Sequence, residues 1–261
     1  CLQLQAMNPN LCIKNDASYH DMYYMNPPAK DLSKIASSDK VKKVQKDFEA
    51  THVRPQRLMK TLFTDEAYVK ANVDEARLMR RLFDLACNMQ SHDTDMQLYS
   101  LFTDEECYDL WSCNNLYWYL THACSPVTDG LMPYREADLL RNILDRADAA
   151  LKEGKNQATL RFGHESCLLP LVALLELNHY GESYPDVEKL SEQWRAYDIF
   201  PMASNVQFVF FHKKGSNDVL VKVLLNEKET KLPVKTDVAP YYHWKDVESY
   251  YREKLDKYQH I

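Results

Sequence analysis

Arg161, His164 and Glu165 bring three complementary side chains together within five consecutive residues. A guanidinium binds anions through several N–H groups, and an imidazole changes its charge near neutral pH. A carboxyl group donates or accepts a proton. These groups suit chemistry on a charged oxyanion such as phosphate, because the cations can bind the oxyanion while the neighbouring acid moves a proton.

The surrounding pattern predicts the elements that hold these groups. Residues 157–162 alternate apolar and polar side chains, as in a β-strand, and Gly163 interrupts the alternation. Residues 168–177 are strongly apolar and predict a helix. The triplet 164–166 then lies where a strand ends and a helix begins. Because the first N–H groups of a helix lack partners, this position favours an anion.

The triplet His-Glu-Ser at 164–166, followed by a Leu-Leu-Pro-Leu run, resembles the second signature of the histidine acid phosphatases. The branch it resembles contains the multiple inositol polyphosphate phosphatases and related bacterial phytases, which carry His-Ala-Glu before such a helix. Other branches carry His-Asp, so this triplet matches neither pattern. Further stretches resemble the same branch in the same order, at residues 101–111, 125–133, 201–210, 220–227 and 240–244.

The resemblance implies a helix-rich α/β fold, with part of the histidine phosphatase core sheet and a large all-α inserted domain. Residues 1–29 would lead into the core, 30–153 would form the helical insert, and 154–261 would be the C-terminal part of the α/β core. The implied reaction is hydrolysis of a phosphomonoester, such as the inositol polyphosphate phytate, through a phosphohistidine intermediate. The family needs no metal, and no cofactor is expected.

The nucleophile of this family is not found in the sequence. It lies in an Arg-His-Gly-x-Arg-x-Pro motif, whereas these 261 residues contain no Arg-His pair and the look-alike at 52–57 has the wrong order. The chain also begins at Cys1, without a signal peptide. We therefore expect part of a longer acid phosphatase, inactive alone and, by resemblance, periplasmic or secreted. The alternative is an inert fragment or a non-enzymatic binding or oligomerisation domain of the same fold.

The resemblance suggests catalytic roles for two residues. His164 matches the second, phosphate-binding histidine of the family, and the alternative is a structural histidine at a strand end. Glu165 is the predicted proton donor, since Ser166 stands where the related branch has Glu and serine is a poor donor. The alternatives are a helix N-terminal acid without a catalytic role, or an enzyme with weakened acid catalysis.

Two more residues are candidates for substrate binding. Arg161 is predicted on the strand face opposite Phe162, where it would join the phosphate pocket, and the alternative is a salt-bridge partner. Asn205 precedes a predicted strand and is placed at the rim of the pocket. His20 and Asp21 are candidates for a loop near the substrate.

Composition excludes several other functions. The net charge of −6 argues against nucleic-acid binding, which usually needs a basic face. The sequence contains no run of 18 apolar residues, so no membrane span is expected. The seven cysteines are irregularly spaced with no Cys-x-x-Cys pair, so no zinc or redox site is expected. Because their number is odd, at least one thiol stays free unless it pairs with another chain.

The remaining pattern is mostly helical. Apolar residues recur at helical spacing over 64–86, which predicts one long helix. Thr103 and Glu106 form a capping box at the start of another helix. Residues 134–152 predict a further amphipathic helix, which Gly154 ends.

The C-terminal part predicts a sheet and a closing helix. Residues 205–212 and 219–225 predict a β-hairpin, and their continuous apolar character predicts central strands covered on both faces. Residues 244–258 predict the last helix. If the first strands of the family sheet are missing, 159–162 and the hairpin lose pairing partners. We therefore expect a homo-oligomer or a complementing N-terminal segment.

Overall fold

The computed structural model describes residues 2–14, 18, 22–25, 29–154 and 157–258. The α-helices are α1 (Leu2–Met7), α2 (Lys30–Ala36), α3 (Asp39–His52), α4 (Gln56–Leu62), α5 (Glu66–Asn72), α6 (Glu75–Asn88), α7 (Asp104–His122), α8 (Ala137–Glu153), α9 (Glu165–Leu174), α10 (Leu190–Gln193), α11 (Ala196–Ile199) and α12 (Trp244–Tyr258). The strands are β1 (Val206–His212), β2 (Val219–Leu225), β3 (Lys228–Glu229) and β4 (Tyr242–His243). The predicted helix-rich α/β class is confirmed.

Residues 29–154 form helices and turns, and no strand occurs among them. The predicted capping box is confirmed, because the Glu106 N–H donates to the Thr103 hydroxyl at 3.2 Å and the Thr103 N–H donates to the Glu106 carboxylate at 3.0 Å. Gly154 ends α8 in the left-handed conformation, with φ of 64°. The domain boundaries at residues 30 and 153 stay a prediction.

The single long helix predicted over 64–86 is wrong, since it is divided into α5 and α6. Asp74 has an extended backbone, and its carboxylate accepts a hydrogen bond from the Arg77 N–H at 3.0 Å. An N-cap of this kind satisfies a free donor of the following helix and leaves the chain non-helical at the cap itself. The apolar spacing continues across the break because both helices bury the same side of the chain in one small core around Leu58, Met79 and Leu110.

The main core lies where α7, α8, α9 and α12 meet the sheet. Within α9, the side chains from Leu169 to Leu174 are all buried. A fully buried leucine contributes about 1.5–3 kcal/mol by leaving water, so α9 is firmly anchored. It packs closely against the 3₁₀ turn Met132–Glu136, which continues directly into α8. This packing fixes the position of the residues at the start of α9.

The hairpin prediction is confirmed in pairing and partly wrong in burial. β1 and β2 pair antiparallel, with Val206 opposite Leu225 and His212 opposite Val219. β2 also pairs with β3 and β4, and it buries alternate residues. Within the described residues, β1 pairs only with β2 and is therefore an edge strand of the sheet, not a central one. Its side chains are half-buried to exposed, so β1 is not covered on both faces.

The strand predicted over 157–162 is also wrong, because none is assigned there. A strand needs a neighbour with which to exchange backbone hydrogen bonds, and the described residues offer this segment none. Its apolar side chains are left in solvent, with Leu160 63% and Phe162 83% exposed. The alternating pattern is present, but the partner that would turn it into a strand is not among the described residues.

Two further predictions concern the whole described chain. No helix in the described ranges is both long and apolar enough to cross a membrane. The described cysteines, which are Cys12, Cys87, Cys107, Cys113, Cys124 and Cys167, form no disulfide with one another.

Candidate active site at the start of α9

His164 and Glu165 lie at the N-terminus of α9, as predicted, but residues 157–162 form no strand, so the predicted position at a strand end is wrong. His164 is the N-cap residue in extended conformation, and its carbonyl accepts hydrogen bonds from the N–H groups of Cys167 and Leu168 at 3.0 and 3.1 Å. Its imidazole does not cap the helix. Glu165 is the first helical residue, and both side chains are exposed. The imidazole, the carboxylate and the free N–H groups of the first turn are therefore open to a ligand.

Arg161 is the half-buried cation of this region. Its Nη2 donates to the Asn142 side-chain oxygen at 2.6 Å, and its guanidinium carbon lies 6.0 Å from the centre of the Tyr24 ring. Its Nε is buried without a hydrogen-bond partner, and burial lowers the pKa of the guanidinium. The salt bridge considered as its alternative role is not found among the described residues. A half-buried cation without a counter-charge is costly, so an anion would stabilise it.

A second layer of titratable groups lies beneath the first turn of α9. The Cys167 thiol donates to the Met25 carbonyl at 3.1 Å, and burial, followed by the charge of Glu136, raises the pKa of this thiol. Glu136 is 2% exposed and its Oε2 has no hydrogen-bond partner. Burial raises the Glu136 pKa to about 8. At neutral and acid pH this carboxyl group is therefore protonated, and it does not repel an anion bound nearby.

Sequence reasoning missed Arg135 and Glu136. Arg135 is half-buried, and its positive charge acts on the pKa of both Glu136 and Cys167. Both residues belong to the 3₁₀ turn that packs against α9. Nothing in the local pattern around residue 135 signals this packing, because the contact joins segments about thirty residues apart.

The structure places Asn205 in a different environment. Its amide nitrogen donates to the Ala203 carbonyl at 3.2 Å and to the Glu227 carboxylate at 3.1 Å, while its oxygen accepts from Gln207 at 2.9 Å. These bonds organise the start of the β1–β2 hairpin. No hydrogen bond joins Asn205 to residues 161–165 within the described part of the chain, and its role at the rim stays a prediction. His20 and Asp21 lie outside the described residues.

Metal binding finds no support in the geometry. Within residues 2–14, 18, 22–25, 29–154 and 157–258, no three His, Cys, Asp or Glu side chains are grouped to hold a metal ion. The chemistry available at the start of α9 is therefore that of an imidazole, a carboxylate, a guanidinium and backbone N–H groups.

The sequence of this chain matches a known protein family. The family model of the histidine phosphatase superfamily (branch 2) matches residues 9–226, so this chain is a member of that family. Among its relatives is human multiple inositol polyphosphate phosphatase 1, which is 28% identical over 134 residues, covering 46% of this chain and 27% of that protein. The predicted family is confirmed.

Solved structures show the same fold. The multiple inositol polyphosphate phosphatase of Bifidobacterium longum in complex with inositol hexasulfate matches 93% of this chain and 59% of its own, with a TM-score of 0.55 and 19% identity. Its complex with phosphate matches 93% and 60%, with a TM-score of 0.60. At this identity the likeness establishes the fold alone. The chain spans less than two thirds of these relatives.

Proposed function

We propose that the protein containing this chain is a phosphomonoester hydrolase of the histidine acid phosphatase type, with the nucleophilic histidine outside these residues. Inositol polyphosphates, including phytate, are the proposed substrates. The observation that carries the proposal is His164, exposed at the start of α9 three residues after Arg161, which has no carboxylate partner among the described residues, in a chain of the histidine phosphatase family. The names and ligands of the human and Bifidobacterium proteins support the substrate class.

The proposed reaction has two steps. The nucleophilic imidazole attacks phosphorus and forms a P–N bond while the P–O bond to the alcohol breaks, and Glu165 gives its proton to the leaving oxygen. Water then attacks the phosphohistidine, releasing inorganic phosphate and restoring the histidine, while Glu165 takes up a proton. His164, Arg161 and the first N–H groups of α9 would stabilise charge on the phosphoryl oxygens. Asn205 is kept as a candidate at the substrate rim.

A non-catalytic role is the second candidate, and Ser166 is the observation that favours it. Serine stands where the related branch has its acid, and it is half-buried one residue beyond Glu165. A protein with this change would retain phosphate binding and lose acid catalysis. Both candidate functions predict that the protein binds phosphate, but only the phosphatase predicts that it releases phosphate from a substrate.

The unpaired segment supports a proposed partner. Leu160 and Phe162 are exposed on a segment with strand alternation, and β1 has a free edge in the described part of the chain. We propose that an N-terminal segment of the same protein, or a second copy of the chain, supplies the missing pairing. A periplasmic or secreted location is proposed from the family resemblance.

The test is phosphate release from phytate by the full-length protein. His164→Ala should lower turnover at least a hundredfold, because the variant loses a charge-stabilising group in the transition state. His92→Ala is the matched control, since His92 is an exposed histidine that also precedes an acid, and it should leave turnover unchanged. No phosphate release by the wild-type protein, or full activity of His164→Ala, would overturn the catalytic proposal.

A further inference from the structure

Three arginines without a carboxylate partner lie around α8 and α9, which pack against each other. Most arginines of the described residues form ion pairs, namely Arg54, Arg57, Arg80, Arg81, Arg141, Arg195 and Arg252. In the described ranges, Arg77, Arg135, Arg146 and Arg161 form none. Arg77 is exposed on α6, in the separate helical core. The other three lie around α8 and α9.

α8 brings two of these residues together. Asn142 and Arg146 are four residues apart on α8 and share one face of that helix, whereas Arg135 precedes the helix in the 3₁₀ turn Met132–Glu136. Asn142 accepts the 2.6 Å hydrogen bond from Arg161. Arg146 lies one turn further on, and its charge adds to burial in lowering the Arg161 pKa. Arg135 lies beside the first turn of α9.

The positive charges of Arg146 and Arg161 repel one another, and an anion bound to both would remove that cost. Glu136 does not neutralise them, since burial keeps it protonated at neutral pH. Arg146 lies about 14 Å along the axis of α8 from its first residue, Ala137, at 1.5 Å per residue, and Arg135 precedes that residue. Arg135 and Arg146 also have different neighbours, Cys167 for one and Arg161 for the other. Because Arg135 lies apart from Arg146 and Arg161, a ligand with several separated anionic groups can contact all three arginines, whereas a single phosphate cannot.

We infer that Arg135, Arg146 and Arg161 bind separate anionic groups of one compact polyphosphorylated ligand whose reacting phosphate lies at His164. The inference rests on the proposed function and adds to it the residues that distinguish a polyphosphate from a monophosphate. Guanidinium groups suit this role because they present forked N–H donors to phosphate oxygens.

The experiment measures binding by this chain, so it does not depend on turnover. Inositol hexasulfate and inorganic phosphate are titrated by calorimetry into the wild-type chain and into Arg135→Gln, Arg146→Gln and Arg77→Gln. Loss of one charge-assisted contact should weaken hexasulfate binding about tenfold in each of the first two variants. Inorganic phosphate affinity should change less than about threefold in Arg146→Gln, because a single anion does not contact both Arg135 and Arg146. Arg77→Gln, which removes an unpaired arginine elsewhere, should bind both ligands as the wild type does.

The outcomes separate this inference from the proposed function. Hexasulfate affinities of Arg135→Gln and Arg146→Gln equal to that of Arg77→Gln would overturn the inference, and so would failure of the wild-type chain to bind hexasulfate at low salt. Phosphate release by the full-length protein tests the proposed function independently. If circular dichroism shows that Arg135→Gln does not fold, the hexasulfate affinity of Arg146→Gln decides the test. Arg135→Lys should keep most of the hexasulfate affinity, because lysine keeps the positive charge.

Discussion

Glu136→Gln tests whether the buried carboxyl group beneath the site stays protonated at neutral pH. The Glu136 pKa is raised by burial from its ordinary value of 4.5 to about 8. Between these pH values the folded protein keeps a proton that the unfolded chain has lost, so wild-type stability falls as pH rises from 4.5 to 8. One pKa unit corresponds to about 1.4 kcal/mol, so the loss is at most about 3 kcal/mol at pH 7 and about 5 kcal/mol above pH 8. Glutamine does not titrate and should escape this loss.

The assay is urea unfolding of this chain, followed by circular dichroism at pH 4.5, 6, 7 and 8. The free energy of unfolding of Glu136→Gln, minus that of the wild type, should rise by up to about 3 kcal/mol between pH 4.5 and pH 7. The difference in free energy of unfolding at pH 4.5 measures the effect of replacing the carboxyl group by an amide. The test is therefore the change of this difference with pH. Glu153→Gln is the control, because Glu153 is an exposed acid on α8. Parallel pH profiles for Glu136→Gln and the wild type would refute the reasoning.

Glu165, His243 and Phe162 offer three further tests at other places in the molecule. Glu165→Gln in the full-length protein should lower phosphate release from phytate by about a hundredfold or more if Glu165 is the acid, and unaltered turnover would remove it from that role. The ring nitrogens of His243 lie 3.0 Å from carboxylate oxygens of Asp218 and Asp237, and these hydrogen bonds raise the His243 pKa. The stability that the two hydrogen bonds add is fully present below the ordinary histidine pKa. It is lost as the pH rises through the raised His243 pKa. An NMR titration should show a lower His243 pKa in Asp218→Asn, and an unchanged pKa would contradict the bond. Phe162→Ser should change the free energy of unfolding of this chain by less than about 0.5 kcal/mol, since the ring is exposed; it should instead weaken any association measured by light scattering, and equal association of both forms would count against the pairing proposal.

Local pattern was sufficient where an element depends on its own residues. α12 and β2 begin and end at the predicted residues, because their apolar periodicity is uninterrupted and turn-forming residues flank β2. The capping box at Thr103 is likewise a bond between neighbours in sequence. His164 and Glu165 were placed correctly at a helix start for the same reason, since a polar triplet precedes an apolar run.

Local pattern was insufficient where an element depends on distant residues. Residues 157–162 alternate as a strand does, yet a strand forms only when a partner is present. The edge position of β1 likewise depends on whether another strand pairs with it, and its partial burial depends on what packs against its faces. Arg135 and Glu136 acquire their importance from packing against α9, and Arg146 from lying one turn beyond the residue that holds Arg161. None of these contacts has a signature within a few residues of sequence.

The central claim is that the start of α9 binds phosphate through His164. Its most direct test is an NMR titration of this chain with inorganic phosphate, with the signals of the His164 imidazole and of the free N–H groups of Glu165 and Ser166 assigned. The account predicts that these signals shift together and saturably, and that His164→Ala weakens the binding severalfold or more. Saturable shifts confined to other parts of the chain, with the start of α9 unmoved, would contradict it.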